Sequence, residues 1–192
     1  MIDTERLIRK AAAYGIDAAP VVRKLDEYAA LLVEYNQKVN LTAITDAEGI
    51  EDRHFIDSLL LAARPEVCGR MVDVGTGAGF PGIVAKLFRP ELELTLMEPT
   101  GKRVDFLKYA CSALGVEAEF AKERAEEAAR KQWRESFDVA TARAVAALPV
   151  LAEYCLPLLD GSARTLILYE KISQTPPVYP RNGGKIAKAP LK

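Results

Sequence analysis

Four glycines fall within the eight residues Gly75-Thr76-Gly77-Ala78-Gly79-Phe80-Pro81-Gly82, directly after Met71-Val72-Asp73-Val74. Glycines so placed let a backbone turn tightly and approach a ligand with no Cβ in the way. A helix opening just beyond them presents free N–H groups and the positive end of its dipole to an anion. The spacing Gly77-x-Gly79-x-x-Gly82 matches the dinucleotide-binding pattern. Asp73 argues for other chemistry. A carboxylate two residues before Gly75 repels a pyrophosphate and favours a ligand that carries an ammonium group and no phosphate. S-adenosylmethionine (SAM), with its amino group, carboxylate and sulfonium, is such a ligand. Glu98 follows Gly75 by 23 positions, where an acid can accept hydrogen bonds from both hydroxyls of a ribose. SAM and nicotinamide dinucleotides both contain ribose, so Glu98 supports a ligand without choosing between them. A tight turn without ligand is the third reading.

For these residues to converge, a strand must end near Val74 and a helix must open near Phe80. The pattern predicts strands over 71–74, 92–97, 118–121, 137–142 and 164–172, and helices over 80–88, 101–114, 123–131 and 148–159. Upstream, Val21, Leu25, Tyr28, Leu32, Tyr35 and Val39 recur at three- and four-residue steps and form one apolar helical stripe. Pro20 suits its start. Asp46 suits the cap of a second helix reaching about residue 63, with Ile50, Phe55, Leu59 and Leu60 inward and Pro65 ending it. Strands alternating with helices imply a parallel, doubly wound α/β sheet, whose ligands sit at the carboxyl ends of its strands. The expected division is a helical region over 1–65, a core over 66–172 and a basic, Pro/Gly-rich tail over 173–192.

The chain has 192 residues, 49% hydrophobic and 28% charged, which excludes a disordered chain, a collagen-like fibre and a long repeat array. No apolar run approaches the roughly 18 residues that span a bilayer, and the first ten residues hold no apolar signal core; a cytoplasmic protein with no membrane partner is expected. Cys68, Cys111 and Cys155 lie far apart without CxxC spacing, so neither a disulfide framework nor a metal site is expected. Net charge is −1, yet residues 161–192 hold 6 Lys or Arg against 1 Asp or Glu. That basic surplus suits either an anion contact or a solvated end. Two other methyl-transfer signatures are absent. Thr175-Pro176-Pro177-Val178 lacks the Asn or Asp and the aromatic residue used for amino groups. Cys155-Leu156-Pro157 reverses the Pro-Cys order used for cytosine carbon.

The chain resembles the bacterial 16S ribosomal RNA guanine-N7 methyltransferases of the RsmG, or GidB, family. The likeness rests on Asn40-Leu41-Thr42-Ala43-Ile44, His54-Phe55-Ile56-Asp57-Ser58, the stretch from Val72 to Gly82, Gly101-Lys102-Arg103-Val104, Arg124-Ala125-Glu126, Thr141-Ala142-Arg143-Ala144-Val145 and Tyr179-Pro180-Arg181. The glycine stretch is common to many methyltransferases; the segments at His54 and Thr141 are far more specific. The resemblance implies a class I SAM-dependent methyltransferase (Rossmann-like) sheet with an N-terminal helical extension. It also implies 16S rRNA or the small ribosomal subunit as partner, and a monomer is expected. One departure stands out. The family carries a strand with a Lys-Gly pair and a helix where only Asp160-Gly161-Ser162-Ala163 separate the last expected helix and strand here.

Carried over by position, Asp73, Gly75, Gly77, Gly79, Phe80, Glu98, Ala125, Glu126 and Arg143 would hold the cofactor. Arg143, ending the fourth strand, would also position substrate. Guanine N7 has an in-plane lone pair and no proton, so its methylation needs an in-line approach at about 3–3.5 Å and no general base. Arg53, Lys102, Arg103, Arg181, Lys185 and Lys188 are candidates for RNA phosphates. His54, the one histidine, is expected to orient the loop at 40–45. The rival functions are a small-molecule SAM methyltransferase and a non-catalytic RNA- or ribosome-binding module. A nicotinamide oxidoreductase stands third.

Overall fold

In the computed structural model, residues 2–161 are described. The chain opens with α1 (Thr4–Ala12), capped by the Asp3 side chain on the amide of Arg6. Next comes α2 (Val22–Asn36), which buries Leu25, Tyr28, Ala29 and Leu32 along the expected stripe. The Asn36 carboxamide then folds the following loop back on itself. Its Oδ1 accepts from the amides of Leu41 and Thr42, and its Nδ2 donates to the Thr42 carbonyl.

The next helical run covers the expected range but is not one regular helix. It begins as α3 (Ala47–Ile50), with Asp46 capping the amide of Gly49 as expected. It widens into a π-helix over Glu51–Ile56 and tightens again as α4 (Asp57–Ala62). The physical reason lies in its buried residues. Ile50 and Phe55 both face the core, and a five-residue step between them suits the wider π turn.

Four parallel strands follow: β1 (Arg70–Val74), β2 (Glu93–Met97), β3 (Glu119–Ala121) and β4 (Val139–Ala142). Among the described residues their order is β3-β2-β1-β4. They alternate with α5 (Gly82–Phe88), α6 (Gly101–Leu114), α7 (Ala125–Ala128) and α8 (Leu148–Cys155). Side chains of successive strand residues point to opposite faces. Met71, Leu94 and Leu96 pack with α2, α4, α5 and α6, while Val72, Val74, Met97 and Ala121 pack with Phe137, Cys155 and Leu158. The N-terminal helices share the first of these cores, which runs from Ile2 to Val139.

Several elements are shorter than expected, and for three the physical reason is plain. The seventh helix stops at Ala128, and Glu123 takes hydrogen bonds from Trp133 and Gln132 as the chain turns back. The fourth strand starts at Val139, because Asp138 turns aside to bind Arg70 through both carboxylate oxygens. The eighth helix ends at Cys155, since Pro157 lacks the N–H that would continue it. The expected strand over 164–172 and the basic tail lie outside the described residues. No helix among the described residues is long and apolar enough to cross a membrane.

Candidate cofactor and substrate site

Strand register fixes which residues stand together. Val74 pairs with Met97 on one side and Ala142 on the other, and Met97 pairs with Ala121. The residues that follow these partners, Gly75, Glu98, Lys122 and Arg143, therefore share the carboxyl edge of the sheet. Of the expected site residues, that edge brings together the glycine loop, Glu98 and Arg143.

The loop leaves β1 through Gly75, Gly77 and Gly79, all with positive φ. Gly79 is needed for space: a Cβ there would lie 2.5 Å from both Ile83 Cδ1 and Tyr28 Oη. Tyr28 donates its hydroxyl proton to the neighbouring Ala78 carbonyl. A Cβ on Gly77 would meet nothing nearer than the Gly75 carbonyl at 3.9 Å. The described residues therefore do not fill the space beside Gly77, and a ligand can.

Asp73 is fully buried beneath this loop. Its Oδ2 accepts from Thr76 Oγ1 at 2.5 Å and from the Gly82 amide at 2.9 Å, and its Oδ1 accepts from Thr141 Oγ1 at 3.2 Å. Burial pushes its carboxyl up to about 6, against the lowering effect of those three donors. The carboxylate thus faces the loop's own donors and not open space. Glu98 is the acid that reaches the loop's other side. Its Oε2 accepts from the Gly77 amide at 3.1 Å, its Oε1 accepts from the Thr100 amide at 2.9 Å, and Arg103 lies 3.7 Å away.

Beyond the glycines stands a stack of flat groups. Phe80 stacks with the ring of Tyr28, 5.0 Å away, and with the imidazole of His54, 4.4 Å away. The Arg143 guanidinium sits 5.4 Å from the Phe80 centroid, a cation–π distance. Arg143 also donates to the Arg53 carbonyl and to His54 Nδ1, the latter at 3.0 Å, and pairs with Asp57 at 3.6 Å. Arginine has only donors, so Nδ1 must accept and His54 carries its proton on Nε2. That Nε2–H meets Thr42 Oγ1 at 3.2 Å, in agreement with the expectation that His54 orients the loop at 40–45. Burial first, then the Arg143 charge, pushes His54 down to about 4, so the imidazole is neutral at physiological pH. After Arg143 the backbone enters the left-handed region at Ala144, φ 56°.

The other expected residues are more dispersed. Ala125 is buried and Glu126 half-buried at the start of α7; Lys102 is exposed and Arg103 half-buried at the start of α6; Arg53 is exposed. Arg181, Lys185 and Lys188 lie outside the described residues. Among the described residues no group of three or more His, Cys, Asp or Glu is placed to hold a metal.

Sequence reasoning missed the anchor of the π-helix. Glu51 is fully buried. It accepts from Arg6 at 2.6 and 2.7 Å, from the Asp3 amide at 2.9 Å and from Lys10 at 3.5 Å. Despite burial, these partners hold its carboxyl below the usual range. The only sequence signal was an acid at a helix position next to the apolar Ile50.

Comparison with known proteins identifies relatives of this chain. The family model GidB, described as rRNA small subunit methyltransferase G, matches residues 21–175. The "Ribosomal RNA small subunit methyltransferase G" of Moorella thermoacetica is 38% identical over 243 aligned positions that cover the whole of both chains. That of Alkaliphilus metalliredigens is 39% identical over 217 positions, covering 89% of this chain and 91% of its own. The first alignment runs to 243 positions for a chain of 192 residues, so at least 51 positions have no residue here. A crystal structure from Methanococcus maripaludis, described as an S-adenosyl-L-methionine-dependent methyltransferase, superposes with TM-score 0.52 at 10% identity. The superposition spans 71% of this chain and 60% of that one; the shared fold is the class I methyltransferase sheet. With its model matched over most of the chain and one member aligned end to end, the GidB family of rRNA small subunit methyltransferase G proteins is the family to which this chain belongs.

Proposed function

We propose that this protein transfers the methyl group of S-adenosyl-L-methionine to N7 of a guanine in 16S ribosomal RNA, in the cytoplasm. The relatives' name speaks of small-subunit ribosomal RNA; the choice of N7 rests on the chemistry of the site. One observation carries it. The groups next to the open loop are a stacked aromatic plate and a fixed cation, and both ring nitrogens of the single histidine are already engaged. Among the described residues, such a wall can orient a flat base, and its imidazole has no free nitrogen to act as a general base. It suits an acceptor that has a lone pair and no proton to lose.

When bound, S-adenosyl-L-methionine supplies a sulfonium methyl to a nucleophile aligned behind it. The residues divide the remaining work. Gly75, Gly77, Gly79 and Phe80 form the floor, and the unfilled space beside Gly77 supports that role. Glu98 keeps lone pairs for the ribose hydroxyls while bracing the Gly77 amide. Ala125 and Glu126 flank the adenine. Asp73 holds the loop in shape from below, through Thr76 and Gly82. Arg143 sits where cofactor and base meet. Arg53, Lys102, Arg103, Arg181, Lys185 and Lys188 contact phosphates.

The test is to incubate the protein with methyl-labelled SAM and small ribosomal subunits from a strain lacking this methylation, then to digest the RNA. Label in 7-methylguanosine is the expected result. Binding of SAM with no RNA-dependent turnover would favour the small-molecule methyltransferase. Failure to bind SAM at all would favour the RNA- or ribosome-binding module.

A further inference from the structure

We infer that His54 is a positioning residue for methyl transfer: its Nδ1 lone pair fixes the Arg143 guanidinium against Phe80, while its Nε2–H is fixed by Thr42. Three observations carry this. The His54 and Phe80 planes are 6° apart, so the imidazole edge projects alongside the face over which Arg143 lies. The Arg143–Nδ1 distance is 3.0 Å and the Nε2–Thr42 Oγ1 distance is 3.2 Å; together they admit one neutral tautomer. Thr42 is itself oriented, since its Oγ1 accepts from the Ile44 amide at 3.0 Å and its backbone is held at both N–H and C=O by Asn36. The chain Asn36–Thr42–His54–Arg143 thus runs from the end of α2 to the carboxyl edge of the sheet. Together with the Arg53 carbonyl and Asp57, which also hold the guanidinium, it gives the cation one direction in which to point.

A long, flexible arginine reaching a reaction centre costs side-chain entropy each time it is ordered. Prior ordering by a neutral acceptor removes that cost from the binding step. A charged imidazole would not serve, because both of its nitrogens would be donors and one would face the guanidinium. The inference rests on the proposed place of Arg143 beside the methyl donor.

The test separates positioning from packing. His54→Phe keeps the ring on Phe80 and deletes the acceptor; His54→Asn loses the ring and returns an acceptor oxygen near the Nδ1 position. The readouts are SAM affinity by calorimetry and the methylation rate, with thermal unfolding followed alongside. Loss of a charge-assisted hydrogen bond predicts SAM binding weaker by about tenfold in His54→Phe, and His54→Asn within about threefold of wild type. The double variant His54→Phe, Arg143→Gln should bind no more weakly than the worse of its two single variants. His54→Phe at wild-type affinity, His54→Asn as weak as His54→Phe, or losses that multiply in the double variant would overturn the inference. The wild-type protein gives an independent reading. Because the chain has one histidine, long-range proton–nitrogen NMR reports one imidazole, expected with Nε2 protonated and Nδ1 bare. A proton on Nδ1 would overturn the inference even if SAM binds normally. Failure of the wild type to bind SAM would instead remove the proposed function, and this inference with it.

Discussion

The imidazole of His54 lies flat on the ring of Phe80, with centroids 4.4 Å apart and planes 6° apart. This contact joins the π-helix to the glycine loop. It also removes His54 from water, and Asp73 is buried on the other side of the same loop. The two groups respond to acid in opposite senses.

His54 is pushed down to about 4 in the fold, against an ordinary value near 6.5. Between those values the unfolded chain takes up a proton that the folded chain refuses, so stability falls as pH falls. Asp73 is pushed up to about 6 from 3.8. Over that window the folded chain holds a proton that the unfolded chain releases, so stability rises as pH falls. The wild-type profile should be shallow between pH 6 and 4.5. His54→Phe should gain stability on acidification across that range, by on the order of 2 kcal/mol, and Asp73→Asn should lose it by a similar amount. Urea titrations at a series of pH values measure both slopes; parallel profiles for the two variants would contradict the assignment.

Two glycines of one loop should respond differently to alanine. Gly77→Ala should cost about 1 kcal/mol of stability, from the positive φ alone, but weaken SAM binding by a larger factor, because its methyl enters the open space. Gly79→Ala should cost about 3 kcal/mol, since its methyl meets Ile83 and Tyr28 as well. Denaturant unfolding and calorimetry with SAM separate the two effects.

Glu51→Ala leaves Arg6 without its main partner and opens the buried end of the π-helix. Arg6 keeps a third of its side chain in water, so the loss should be smaller than that of breaking a fully buried pair. Amide exchange across residues 4–12 should accelerate together with the fall in stability. Unchanged protection there would show that α1 is held by its apolar face alone.

Neutralising a phosphate contact reduces the dependence of RNA affinity on salt. Arg53→Gln and Lys102→Gln should each lower the log–log slope by about 1 and leave SAM affinity intact. Arg103→Gln should alter both, because Arg103 also faces Glu98 at 3.7 Å. Filter binding across a salt series distinguishes the three.

The parts legible in the sequence are those with local causes. Asp46 capping the amide of Gly49, the apolar stripe through Tyr28, and the end of α6 at Gly115 with φ 64° each depend on neighbours a few residues away. The glycine loop was legible because positive φ demands glycine. The π-helix was not, because a five-residue step from Ile50 to Phe55 resembles an ordinary interruption of an apolar stripe. Glu51 resembled a surface acid, since its partner Arg6 lies 45 residues earlier. The charge of Asp73 was visible and its direction was not; only the strand register turns it under the loop and away from open space. Arg143 was legible as a cation at a strand end, but its attachment to His54 spans 89 residues.

That last separation has a consequence for the order in which the molecule is completed. Closing an 89-residue loop through two side chains costs far more entropy than closing a helical turn. The clamp is therefore available only to a chain that has already laid β4 beside β1. A chain with α2, α4 and the first βαβ unit in place but β4 still free leaves Nδ1 of the single imidazole without its arginine. The chemical shift of that nitrogen is thus a built-in marker of the finished protein, changing only when Arg143 reaches it.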